Sequence, residues 1–359
     1  MSPTPIQPAR RKGRAAASNP DNRFDRLTAE AVDDGWDRDE DLPPVRTEVT
    51  TERPRTVITR NTSPDISFDR SINAYRGCEH GCIYCFARPT HAWLGLSPGL
   101  DFETRLVARP GAPEGLAREL ARKSYRPRMI AMGTNTDPYQ PIEGTHAITR
   151  RLLQVLLDFR HPVGVVTKGT LIERDLDILS DLAALGLTRV GISLTTLDRD
   201  LSRRMEPRVP APARRLRTIE ALARAGVEVR VMVSPVVPGL TDPELEAILS
   251  AAKDAGAVAA GWIMLRLPHE VSPLFRDWLA EHYPHRAARV MARVRESHGG
   301  KDYDAEWGRR MRGQGGYAEL IAQRFNLAMR RLGLATELPP LRTDLFRVPP
   351  RAGDQLELF

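Results

Sequence analysis

The stretch GCEHGCIYCFARPTH, residues 77–91, carries Cys78, Cys82 and Cys85, and these three are all the cysteines in a chain of 359 residues. An odd number of thiols crowded into one loop is not a disulfide framework, and the cytosol would keep such thiols reduced. Thiolates this close in sequence can converge on one inorganic centre. Their spacing is Cys-x3-Cys-x2-Cys. A 4Fe-4S cluster can be held by three cysteines, leaving one iron open to an exogenous ligand. A structural zinc completed by His80 or His91 is the alternative, since Cys3His is a known zinc set. Zinc sites usually draw a second ligand pair from far along the chain, and no such pair is visible, so the cluster reading leads and chance clustering comes last.

Around this loop the chain alternates between two patterns. Apolar or β-branched runs recur at SINAY just before the cysteines, RMIAM (128–132), VGVVT (163–167), RVGISL (189–194), EVRVMV (228–233) and GWIMLRL (261–267). Between them, residues 114–123, 145–159, 174–186, 213–226 and 242–256 place apolar residues three and four apart, and several of these segments end at Gly, as helices tend to. Strand and helix in alternation predict an α/β fold on a parallel sheet, and about six such units suit a partial barrel. From residue 272 the pattern turns helical only, predicting a C-terminal helical cap over 272–336 after a core of 61–271. Residues 1–60 are rich in Pro, Arg, Asp and Thr with few large apolar residues, which predicts a disordered tail. The segment 337–359 reads as a Pro-interrupted tail that can dock on the body or stay loose.

Composition narrows the functional classes. A hydrophobic content of 41% supports a core without disulfides. No apolar run reaches the roughly 18 residues that span a membrane, and the N-terminus lacks an apolar signal core, so the expectation is a soluble cytoplasmic protein. The net charge of +7 is compatible with nucleic acid as a partner, although only five of the 53 basic residues are Lys, a bias toward Arg that codon usage also produces.

With Tyr84 preceding the last cysteine, the Cys78, Cys82, Cys85 pattern resembles the signature of the radical S-adenosylmethionine (SAM) enzymes, over residues 72–268. The resemblance implies a partial (βα)6 barrel and a 4Fe-4S cluster on the three cysteines. It also implies SAM bound at the open iron and cleaved reductively to a 5'-deoxyadenosyl radical that abstracts hydrogen. A low-potential electron donor of the ferredoxin or flavodoxin type would supply the electron. Such a cofactor lies across the C-terminal ends of the strands, where this chain offers Asn135 and Asp137, then Lys168, then Ser193 and Thr195, then Glu206 with Arg208. Together with Tyr84 beside the adenine, these are the candidate SAM-binding residues, and Lys168 is the one lysine at a strand end. His80, His91 and His146 read as scaffold.

The words TNTDPYQPIE, TKG and PxxRxxxIxxLxxAGVEVRVMVSPVVPGLTD are most similar to the branch that includes spore photoproduct lyase. That lyase returns a hydrogen atom through a cysteine near the second strand's end, where this chain has Gly133 and Thr134. With its three thiols assigned to iron, the chain needs another route to quench a substrate radical, and Tyr139 is the candidate donor by its place in DPYQP. Three functions compete. One is radical SAM chemistry on an unidentified substrate, with nucleic acid as a candidate. Another is group transfer such as methylthiolation, which lacks cysteines for an auxiliary cluster. The last is a zinc-stabilised nucleic-acid-binding module without catalysis.

Overall fold

The computed structural model describes residues 13–24 and 45–350. Its main sheet contains β1 (Arg70–Ile72), β2 (Ile130–Met132), β3 (Val163–Thr167), β4 (Thr188–Ser193), β5 (Val229–Val236) and β6 (Ala259–Met264), at the positions the apolar runs predict. Neighbouring strands are parallel, and they lie across the sheet in the order in which they occur in the sequence. A short antiparallel strand, Thr59–Arg60, extends the sheet past β1. Among the described residues β1 and β6 do not pair, so the architecture is the expected partial (βα)6 arrangement. On β5, Val229, Val231 and Val233 are buried while Arg230, Met232 and Ser234 between them are half-buried. One face of the sheet packs under helices and the other is only partly covered.

The connecting helices are α1 (Ala112–Leu120), α2 (Ile148–Asp158), α3 (Leu176–Ala184), α4 (Arg199–Met205), α5 (Pro212–Arg224) and α6 (Leu245–Asp254). Each turns an apolar stripe onto the sheet. On α2 the stripe is Ile148, Leu152, Leu153 and Leu156, all buried, each contributing about 1.5–3 kcal/mol. Local chemistry sets the helix starts. The Asp198 carboxylate accepts the N–H groups of Asp200 and Leu201 at the head of α4, and Pro212 sits in the first turn of α5, where its missing N–H costs nothing.

After β6 come α7 (Val271–His282), α8 (Pro284–Ser297) and α9 (Gly315–Leu332). Leu274, Phe275, Trp278 and Leu279 of α7 and Val290, Met291 and Val294 of α8 share an apolar cluster with Cys82, Ile83 and Tyr84. The helical cap therefore buttresses the cysteine loop. The other helix, α9, covers the free edge of β6, with Phe325 against Trp262 and a bridge between Ala259 and Ala335.

The N-terminal expectation needs correction. Residues 13–24 and 45–60, read as part of a disordered tail, hold defined positions: Glu48–Thr51 pairs in parallel with Arg105–Ala108, and Arg14, Ala15 and Ala16 are buried. Composition missed this because the anchoring groups are one arginine, two alanines and backbone amides rather than large apolar side chains. The remainder of that tail, 1–12 and 25–44, lies outside the described residues, as do 351–359. The C-terminal segment docks along the start of the strands, where Phe346 packs against Tyr125 and His161 and the Arg347 N–H donates to Phe159 O at 3.0 Å. Among the described residues no helix is long and apolar enough to cross a membrane.

Candidate active site

The residues after each strand meet on one rim, because parallel strands send their C-terminal ends the same way. After β1 come Asn73 and the cysteine loop. Asn73 Oδ1 accepts the Asn135 N–H at 3.1 Å and the Thr134 hydroxyl at 3.2 Å, tying the β1 and β2 ends together. The β2 and β3 ends are joined through Asp137, whose carboxylate accepts the Lys168 N–H at 2.8 Å, the Tyr139 N–H at 2.9 Å and the Thr167 hydroxyl. His80 Nδ1 from the cysteine loop lies 3.3 Å from Asp137 Oδ2. Burial pushes the Asp137 carboxyl up, but His80 and these donors outweigh it and hold it at about 2.

Cys78 and Cys82 are buried and Cys85 is half-buried. Burial raises all three thiols, Cys82 to about 12 even with the Lys168 ammonium nearby. Fixed dipoles shape the loop from beneath. Arg88, fully buried, donates to the carbonyls of Gly81 at 2.9 Å and Cys82 at 3.0 Å, and it is ion-paired with the equally buried Glu103. Gln140 and Thr136 hold the loop from the β2 side: Gln140 Oε1 accepts the Glu79 N–H at 2.8 Å, and the Thr136 hydroxyl donates to Gly77 O at 2.7 Å. Glu79 also pairs with Arg208 at 2.8 Å. Of the loop's two histidines, His80 Nδ1 faces Asp137 Oδ2, and His91 Nε2 engages Arg105 O at 2.9 Å while its Nδ1 is buried without a hydrogen-bond partner among the described residues.

Behind the loop stands a buried network. Glu206 takes hydrogen bonds from Tyr84, from Thr195 at 2.8 Å and from Arg215 at 2.8 Å, and Arg215 also reaches Ser193 O at 2.9 Å. Burial opposes the charge on Glu206, but Arg215 and Lys168 keep its carboxyl below the ordinary range. Tyr84, Thr195 and Glu206, expected to touch SAM, thus hold one another. The Ser193 side chain is buried at the end of β4. Two candidates remain free to meet a ligand. Asn135 is exposed. The Lys168 ammonium lies 5.8 Å from the Tyr84 ring and, among the described residues, has no hydrogen-bond or ion-pair partner. Tyr139 is placed differently from its expected role: it is only 2% exposed and its hydroxyl donates to the buried Asp175 at 3.1 Å. A hydroxyl sealed into a carboxylate cannot meet a substrate radical. His146 packs on Tyr75 and takes no part.

A family model of the radical SAM superfamily matches residues 72–252, half of the chain. The chain belongs to the radical SAM superfamily. Radical SAM proteins use a 4Fe-4S cluster and SAM, and this chain gathers its cysteines at the rim of the matched region. An uncharacterized protein of Mycobacterium tuberculosis is 39% identical over 226 residues, 62% of this chain and 66% of that relative, so the match stops short of the relative's full length. An uncharacterized protein of Methanocaldococcus jannaschii is 27% identical over 173 residues, 48% of this chain and 62% of the relative. Among solved structures, spore photoproduct lyase complexed with dinucleoside spore photoproduct superposes with a TM-score of 0.55 at 15% identity, covering 80% of each chain, a likeness of fold.

Sequence reasoning missed Arg88, Glu103, Thr136, Gln140 and the role of Arg215. Arg215 is the spaced arginine of PxxRxxxI, and the fold buries it fully. Arg88 had a weaker sign: a charge three residues after Cys85 in an otherwise apolar turn.

Proposed function

We propose that this chain is a radical SAM enzyme whose 4Fe-4S cluster is held by Cys78, Cys82 and Cys85 and whose substrate is a nucleic acid or one of its components. The observation that carries the first part is the gathering of every thiol of the chain onto one largely buried loop at the strand-end rim, beside the Lys168 ammonium, which has no hydrogen-bond or ion-pair partner among the described residues. When bound, the cluster and SAM supply a 5'-deoxyadenosyl radical for hydrogen abstraction. The chain's own residues bind and orient. Lys168 takes the methionine carboxylate of SAM, since a compact ammonium without a protein partner suits that anion. Asn135 offers its exposed side-chain amide to the amino-acid end, and the Tyr84, Thr195, Glu206 and Arg215 network keeps the wall behind the cofactor rigid and dry. The cap helices α7 and α8 close the loop's apolar side. A low-potential ferredoxin- or flavodoxin-type protein supplies the electron.

The substrate class rests on the surface near the rim. Ile83 N–H donates to Met205 O at 3.0 Å, which sets α4 against the cysteine loop, and α4 presents exposed Arg203 and Arg204, with Arg208 just beyond. Phe86, next to Cys85, is exposed, with the Arg266 guanidinium 4.7 Å from its ring, a surface on which a base can stack. The dinucleoside spore photoproduct with which the lyase neighbour is complexed is in keeping with this class.

The test is anaerobic reconstitution with iron, sulfide, SAM and a reductant. The wild-type chain should turn brown and release 5'-deoxyadenosine, faster when the right oligonucleotide is present, and Cys78→Ala, Cys82→Ala and Cys85→Ala should each lose the cluster. Full iron content and colour in any one of these variants would overturn the cluster assignment. Oligonucleotides that neither bind at low salt nor alter 5'-deoxyadenosine release would overturn the substrate class.

A further inference from the structure

The segment Gly13–Phe24 precedes the family-matched region by almost fifty residues, yet it lies on the cysteine loop. Its root is Arg14, 2% exposed, whose guanidinium donates to Glu103 O at 2.8 Å, Val45 O at 3.1 Å and Thr47 Oγ1 at 2.8 Å. Two chains of contact run from there to the cysteines. In the first, the Ala15 and Ala16 N–H groups donate to the Glu103 carboxylate at 3.2 and 3.0 Å; Glu103 pairs with Arg88, and Arg88 holds the carbonyls of Gly81 and Cys82. In the second, Thr47 donates to Glu79 at 2.6 Å, and Glu79 sits between Cys78 and His80 and binds Arg208.

The rest of the segment follows the loop's onward path. Ser18 O accepts the Leu100 N–H at 3.2 Å, Ser97 donates to Pro20 O at 2.6 Å, and Asn22 donates to Ala92 O at 3.0 Å. The fit is close: a Cβ at Gly99 would stand 2.1 Å from Ser18 O. Ala15 and Ala16 belong to the same apolar cluster as Cys82, Ile83 and Tyr84.

We propose that Arg14 is a positioning residue for the three cysteines, acting through Glu103 and Arg88 on one side and Thr47 and Glu79 on the other. Removing it leaves the buried Glu103 carbonyl and the Thr47 hydroxyl short of a charged donor, and the two paths lose their common anchor. The inference rests on the cluster assignment for its purpose but not for its test.

The experiment is run first on the cluster-free protein. In Arg14→Ala, alkylation of the three thiols and deuterium uptake over residues 78–88 should rise about tenfold or more, with strands β3 to β5 protected as in the wild type. Arg14→Lys, which keeps the charge but loses the fork, should fall between the two. Arg342→Ala, which removes a surface pair with Asp344 far from the loop, serves as a control and should leave both readouts unchanged. After reconstitution, Arg14→Ala should bleach faster in air and show an altered cluster electron paramagnetic resonance line shape. Wild-type alkylation and exchange in Arg14→Ala would overturn the proposal, as would a uniform rise across every strand, which marks general loss of stability. If the wild type takes up no cluster at all, the enzyme reading falls while the thiol readout still decides the role of Arg14.

Discussion

At the residue scale, two charges near the rim have opposite circumstances. Lys168 has no hydrogen-bond or ion-pair partner among the described residues, so its replacement by Ala removes one charge-assisted hydrogen bond to a ligand and, within the fold, only its field on Glu206 and its contact with the Tyr84 ring. With such a bond contributing about 1.5–3 kcal/mol, SAM binding by the reconstituted protein should weaken roughly ten- to a hundredfold, measured by calorimetry, with a smaller loss of stability than Arg215→Ala causes. Unaltered affinity would remove Lys168 from the site. Arg215 and Glu206 are the reverse case, both fully buried and facing each other at 2.8 Å. Arg215→Ala leaves a carboxylate with only Tyr84 and Thr195, and should lower the unfolding free energy of the cluster-free protein by about 3–5 kcal/mol in a denaturant titration. The difference between these residues was not legible in the sequence. Cysteines at fixed spacing announce themselves because few chemistries use three thiols. An arginine in a helical motif looks the same whether it is solvated or closes a network 22 residues away.

At the scale of elements, the strands and helices were legible because burial imposes a period on the sequence, and the rim followed from them. The end of β2 shows what that reasoning leaves out. Gly133 adopts φ +94°, and a Cβ there would stand 1.9 Å from Val166 O on β3. Position 133 therefore admits no larger side chain unless one of the two strand ends moves. Gly133→Ala should destabilise the chain by about 2–4 kcal/mol, and thermal unfolding will check it. Wild-type stability would mean that the β2 and β3 ends can part. The N-terminal segment was illegible for a related reason: its anchors are backbone amides and one guanidinium, which hydropathy patterns do not register.

At the scale of the whole molecule, the chain's two ends secure opposite sides of the sheet. The N-terminal segment lies on the cysteine loop, while the C-terminal segment packs Phe346 on His161 at the start of β3. His161 Nδ1 lies 3.0 Å from Pro162 O, to which it donates, and Nε2 lies 2.7 Å from the Tyr125 hydroxyl, which the neutral ring accepts. Burial holds its pKa at about 4. An unfolded histidine protonates near 6.5, so the unfolded chain binds the extra proton between these values and stability falls as pH drops through that window. The contribution is complete above about pH 6.5 and its loss amounts to about 3 kcal/mol by pH 4. The melting temperature of wild type should fall more steeply from pH 7 to 4.5 than that of His161→Asn, and equal slopes would discard the assignment.

The spatial order of the strands repeats their order in sequence, and this bears on how the protein is made. As the chain leaves the ribosome, each new strand finds the neighbour it pairs with already synthesised, so the sheet can grow at one edge. The cysteine loop emerges early, with Gly13–Phe24 already synthesised, but α7 and α8, which cover its apolar side, follow only after all six strands. Through most of translation the loop therefore lacks the apolar cover that it has in the folded chain.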